Sequence, residues 1–260
     1  MANQTNPTHY KQAPLPFVGQ KRLFLNAFKQ VLNDNIPNDG EGWTIIDTFG
    51  GSGLLSHVAK RIKPKARVIY NDFDGYADRL KHISDTNRLR AELIQIVGDI
   101  VPKNKRLDNN KKQEIINKIN DFKGFKDLNT IASWLLFSGQ QVSSFEELFS
   151  KTFWNGILLP KFADNPKALF VLDPPYLCTK QNSYKMATYF DLVDFLQLID
   201  LTRPPYVFFS STKSEFVRFI AYMVQAKKDN WQAFDGADRI VLQTSLNYQV
   251  SYEDNLVFKF

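Results

Sequence analysis

Cysteine is almost absent from this chain of 260 residues. Cys178 stands alone, which excludes an internal disulfide framework and a zinc site built from thiolates. Histidine is scarce too: His9, His57 and His82 lie too far apart for metal-ligand spacing, so no metal is expected. No apolar run approaches the ~18 residues needed to cross a bilayer, and the first stretch, "MANQTNPTHYKQAPLP", has no apolar signal core. These absences lead us to expect a cytoplasmic protein with no membrane partner, and nothing in the sequence calls for an obligate protein partner. There is no internal repeat and no low-complexity tract, so a repeat solenoid is excluded as well.

What is present is core material and positive charge. Phenylalanine occurs 22 times, and hydrophobic residues make up 43% of the chain, ample for a globular core. The net charge of +6 permits a polyanionic partner without demanding one.

The pattern of the chain predicts an α/β protein. Residues 1–15 read as a loose arm. "GQKRLFLNAFKQVLNDNIP" carries apolar residues at helical spacing and stops before Pro37. "GWTIIDTFGGSG" reads as a strand entering a glycine turn, "LLSHVAKRIKP" as a helix and "ARVIYNDFD" as a second strand ending in acids; together they form one βαβ unit. Residues 77–154 turn helical and partly basic, and we read them as an insertion between 1–76 and 155–260, the two halves of one sheet domain. Sheet signals resume at "KALFVLDPPY" and "PYVFFSST", with helices at "ATYFDLVDFLQLIDLTRP" and "SEFVRFIAYMVQAKKD", the latter with Ser214 as expected N-cap. "RIVLQTS" and "NLVFKF" should close the chain as an antiparallel pair. Such alternation implies a doubly wound sheet with its ligands at the C-terminal strand ends.

Two stretches carry chemistry. The first is "DTFGGSG", Asp47 to Gly53. Gly50, Gly51 and Gly53 allow positive φ and close backbone approach to a ligand, and the next helix start can receive a polar group. No Gly-Lys-Ser/Thr follows, so this is not a phosphate loop. Asp72 lies about 20 residues beyond the turn, where an acid commonly holds ribose hydroxyls. The second stretch is Asp173-Pro174-Pro175-Tyr176. A nucleobase amine is a poor nucleophile because its lone pair is delocalised. A carboxylate can accept one of its N–H bonds, a carbonyl pinned by a fixed proline φ can accept the other, and an aromatic face can stack an extruded base.

With these residues in place the chain resembles the amino-methyltransferases that use S-adenosylmethionine, and among them the Dam-type DNA adenine-N6 enzymes. "PFVGQK" is similar to that family's aromatic-x-Gly-Gly-Lys motif through Phe17, Gly19 and Lys21, with Gln20 in place of the second glycine. The order of motifs also matches, and "FFSSTKSEF" and "YEDNLVF" stand where the family has its late strand-end residue and C-terminal strand. The resemblance implies a Rossmann-like methyltransferase sheet with a target-recognition insertion, acting on double-stranded DNA. It implies cofactor contacts from Phe17, Gly19, Lys21, Asp47, Phe49, Gly50, Gly51, Ser52, Gly53, Asp72 and Asp173, with Asp47 near the cofactor's amino group and Phe17 near its sulfonium. Asp173, Pro174, Pro175 and Tyr176 become the catalytic group. Lys180 and Lys185, after that motif, and Lys103, Lys105 and Arg106, in the insertion, are the expected nucleic-acid contacts. Trp134, Phe137, Phe145, Phe149 and Phe153 read as insertion core.

The insertion lacks the family's usual Phe-Asn-x-Pro-x-Gly stretch, so a relaxed base context is expected, as in some phage-encoded enzymes. Restriction protection, phage evasion and regulation stay open as roles. RNA adenine-N6 transfer, DNA cytosine-N4 transfer and a cofactor-binding protein without transfer are the alternatives. A nicotinamide dehydrogenase shares the glycine turn and the acid but has no use for Asp-Pro-Pro-Tyr.

Overall fold

The computed structural model describes residues 11–17, 19–98, 108–135, 165–177, 190–212, 215–247 and 250–260. The strands are β1 (Thr44–Asp47), β2 (Arg67–Tyr70), β3 (Ala168–Leu172), β4 (Tyr206–Ser211), β5 (Asp238–Asn247) and β6 (Val250–Lys259). The helices among these residues are α1 (Leu25–Asn35), α2 (Leu54–Ile62), α3 (Tyr76–Lys81), α4 (Ile83–Val97), α5 (Asn109–Asp121), α6 (Leu128–Leu135), α7 (Leu192–Leu201), α8 (Phe216–Ala226) and the single turn α9 (Trp231–Phe234). The chain divides into two compact units. One holds Met1–Ala13, Gly19–Asp74 and Thr152–Phe260; the other holds Pro14–Val18 and Gly75–Lys151.

In the first unit the strands form one mixed sheet in the order β2-β1-β3-β4-β6-β5. β2, β1, β3 and β4 run parallel, while β6 is antiparallel to both β4 and β5. β3 reads ALFVL and is buried along its whole length, which is the signature of a central parallel strand covered on both faces. Its residues alternate. Leu169 and Val171 join Ile45, Val207 and Phe209 against α1 and α2, where Leu25, Phe28, Val31 and Leu32 recur at helical spacing. Ala168, Phe170 and Leu172 join Ile46 and Phe208 against α7, α8 and α9. Helices on both faces leave the strand ends as the open edge.

Several element boundaries differ from the sequence reading. α7 starts at Leu192, not in the "ATYF" stretch. Asp191 accepts from the backbone N–H groups of Val193 and Asp194 while Asp194 accepts from that of Asp191, and this reciprocal cap sets the start. The N-cap position of α8 is Glu215, in left-handed backbone without a side-chain cap, and not Ser214, which lies outside the described residues. β6 begins at Val250, well before "NLVFKF". Its polar stretch is held in the ladder by cross-strand partners: Arg239 donates to Asn255 Oδ1 at 2.7 Å and to Glu253 at 2.9 Å, and Gln243 to Glu253 at 3.0 Å.

The second unit is helical where described. Leu89 and Leu93 of α4, Ile115 and Ile119 of α5, Leu128 and Ile131 of α6 and Phe122 form its core. The expected loose arm is not loose at its described end. Leu15 is buried; its N–H donates to Tyr76 Oη at 2.8 Å, and Tyr76 donates back to Leu15 O at 3.0 Å. Arg79 donates to Pro16 O at 2.9 Å and pairs with Asp127, these two side chains being 5% and 1% exposed. Among the described residues no helix is long and apolar enough to cross a membrane, and no group of three His, Cys, Asp or Glu could hold a metal ion.

Candidate active site

Three parallel strands end side by side, and the backbone just beyond them is stitched together. Asp47 closes β1 and pairs in register with Tyr70 of β2 and Val171 of β3. Thr48 donates twice to Val171 O, from its N–H at 3.1 Å and from Oγ1 at 2.9 Å. Asn71 donates its N–H to Asp47 O at 3.1 Å and Nδ2 to Thr48 O at 2.8 Å. Asp47, Asp72 and Asp173 therefore arise from one edge of one sheet.

The glycine turn lies between Asp47 and α2. Gly51 and Gly53 sit at φ 49° and 69°, a region that side chains other than glycine rarely adopt. Gly50 is required for a different reason. A Cβ there would lie 2.3 Å from Tyr70 Cδ2 and 2.9 Å from Asn71 O, so the ring of Tyr70 covers the turn only because no side chain is present. Tyr70 Oη stands 2.7 Å from Gly51 O and 3.0 Å from Asp72 Oδ1. Asp47 is 1% exposed. Ser56 of α2 donates to its Oδ2 at 2.7 Å, while Oδ1 has no hydrogen-bond partner among the described residues. Burial raises the Asp47 carboxyl from 3.8 to about 7; the Ser56 hydrogen bond opposes that rise and the charge of Asp173 adds to it. A buried acceptor of this kind suits an N–H or ammonium donor.

Asp173 follows β3 directly, and Pro174 and Pro175 behind it are buried, so the turn is rigid in backbone and packing. Lys21 Nζ lies 2.8 Å from Asp173 Oδ1, the two side chains being 11% and 15% exposed. The same ammonium stands 5.2 Å from the centroid of the Tyr176 ring and donates to Gly19 O at 3.1 Å, with Gly19 at φ 86°. Burial raises the Asp173 carboxyl above the usual carboxylate range; Lys21 opposes that by charge and hydrogen bond, and Asp254 reinforces it. Acid, cation and ring are thus gathered around one proline-locked turn.

The structure brings Lys21, Asp173 and Tyr176 together, and separately Gly50, Gly51 and Asp72. Phe17 belongs to the second unit, where its ring meets Tyr76 edge-on at 5.8 Å. Phe49 turns toward the apolar cluster and meets Phe190 edge-on at 6.2 Å, while Ser52 sits half-buried in the turn. Lys103, Lys105, Arg106, Lys180 and Lys185 lie outside the described residues, as do Cys178, Phe137, Phe145, Phe149, Phe153 and the side chain of Trp134. Sequence reasoning missed Ser56, Tyr70 and Asp254. Ser56, on the third residue of the helix that follows the turn, was the readable one of the three.

No family model matches the chain. A Haemophilus influenzae protein carrying the name "Putative methyltransferase" is 57% identical over 279 aligned residues, an alignment that covers 98% of this chain and 94% of that protein.

Proposed function

We propose that this chain, which belongs to the same methyltransferase family as the Haemophilus influenzae protein, is a Dam-type enzyme that methylates the N6 amine of adenine in double-stranded DNA with S-adenosylmethionine as donor. The observation that carries the reading is the cluster of Asp173, Lys21 and Tyr176 on a turn stiffened by Pro174 and Pro175. The mixed sheet then serves as a Rossmann-like scaffold, with residues 77–154 as the target-recognition insertion.

The residues fit the cofactor. Asp47 Oδ1 is a buried acceptor that suits its ammonium. Asp72 suits its ribose hydroxyls, and the positive-φ glycines give its methionine part close approach to the backbone. Gly19, Lys21 and Ser52 border this site in the reading. When bound, the cofactor supplies an electrophilic methyl group on a sulfonium.

The chain's own work is positioning. Tyr176 offers a face to the extruded adenine. Asp173 accepts one N–H of the amine and the Pro174 carbonyl the other, which draws the nitrogen lone pair out of conjugation. Lys103, Lys105, Arg106, Lys180 and Lys185 supply sequence-blind phosphate contacts, in keeping with relaxed base context.

Nucleoside mass spectrometry after incubation with S-adenosylmethionine tests this on duplex DNA, single-stranded DNA and RNA, with Asp173→Ala as control. N6-methyladenine in duplex DNA, lost in the control, is the expected result. Methylcytosine or an RNA product overturns the substrate. Mapping methylated positions on random DNA tests relaxed context, and one tight palindrome overturns it.

A further inference from the structure

Tyr70 belongs to no motif, yet it touches both halves of the proposed nucleoside pocket. It is the last residue of β2, two positions before Asp72. Its ring lies over Gly50 so closely that a Cβ there would stand 2.3 and 2.4 Å from two ring carbons. Its hydroxyl reaches Gly51 O at 2.7 Å and Asp72 Oδ1 at 3.0 Å. A carbonyl and a carboxylate are both acceptors, so a single phenolic proton serves two of them. Burial, with the nearby charge of Asp72, holds that phenol well above its ordinary range, so it stays a donor at every working pH.

We infer that Tyr70 is a positioning residue for the nucleoside part of the cofactor, its one hydroxyl proton tying the sugar-binding acid Asp72 to the glycine turn. The inference rests on the cofactor reading above. A sugar hydroxyl that donates to Asp72 satisfies the carboxylate and leaves the Tyr70 proton to Gly51 O alone. Filling the sugar site thereby firms the turn that receives the rest of the ligand. Neither Gly51 nor Gly53, both at positive φ, is held by a side chain of its own, so this bond is what the turn gains.

The test is a double-mutant cycle on binding of S-adenosylhomocysteine, the unreactive product, by titration calorimetry. Tyr70→Phe keeps the ring over Gly50 and removes only the hydroxyl, so its melting temperature should stay near that of the wild type. We expect about tenfold weaker binding for Tyr70→Phe, a larger loss for Asp72→Ala, and no further loss when the two are combined. In turnover, Tyr70→Phe should raise KM for the cofactor and leave kcat nearly unchanged. Unchanged affinity in Tyr70→Phe, or an equal loss in the presence and absence of Asp72, overturns the inference and leaves the cofactor reading standing. No binding by the wild type overturns the cofactor reading, and this inference with it.

Discussion

The ammonium of Lys21 lies 2.8 Å from Asp173 Oδ1 and 5.2 Å from the centre of the Tyr176 ring. Those are the two partners that the proposed reaction assigns to the adenine amine and ring. Lys21 is also what opposes protonation of Asp173, which burial and the charge of Asp254 favour and to which Asp47 is electrostatically coupled.

Lys21→Met should therefore move the Asp173 carboxyl further up. The proposed chemistry needs the ionised form, so activity is lost as pH falls through that value. The acid limb of the kcat/KM profile should shift to higher pH by about one unit or more. Lys21→Arg should restore it. A uniform loss at every pH, with no shift of the limb, sinks this assignment.

Asp47 makes stability pH-dependent with a definite sign. Its carboxyl titrates at about 7 in the fold against an ordinary 3.8, so between those values the native protein holds a proton that the unfolded chain has released. Its contribution is therefore most favourable below the ordinary value and is lost as pH rises toward 7. Asp47→Asn should stabilise the protein at pH 8, by on the order of 2–4 kcal/mol, and change little at pH 4. Urea denaturation at the two pH values measures this, and an equal effect at both contradicts it.

Arg79 and Asp127 form a buried ion pair, and Arg79 also holds Pro16 O and covers the Tyr76 ring at 5.1 Å. Removing one partner strands a buried charge. Asp127→Leu should cost about 3–5 kcal/mol, and combining it with Arg79→Met should cost less than either single change. Chemical denaturation of the four proteins decides the point.

Gly50→Ala places a methyl group in the space of the Tyr70 ring and against the Asn71 carbonyl. Displacing that ring also breaks the link from Tyr70 to Gly51 and Asp72. We expect a stability loss of about 1–3 kcal/mol together with loss of S-adenosylhomocysteine binding. Gly236→Ala is the control for a positive-φ glycine with open space around it, and it should leave binding intact.

The elements that depend on local pattern were legible in the amino-acid order. Continuous apolar runs marked β1, β3 and β4, glycines marked the turn after β1, and Asp173-Pro174-Pro175-Tyr176 marked the end of β3. Those features were legible because they follow from side-chain periodicity and from the backbone limits of glycine and proline. The rest came from packing between parts of the chain that lie far apart in sequence. That Tyr70 bridges Gly51 and Asp72 and that Asp254 bears on Asp173 depends on how the strands lie beside one another, which no local pattern encodes. The full length of β6 was hidden because cross-strand pairs to Arg239 and Gln243 hold polar residues in the ladder. Leu15 looked like part of a loose arm because its partner, Tyr76, stands more than sixty residues away in the chain. A buried polar atom takes whichever partner the fold brings to it, and sequence distance carries no information about that choice.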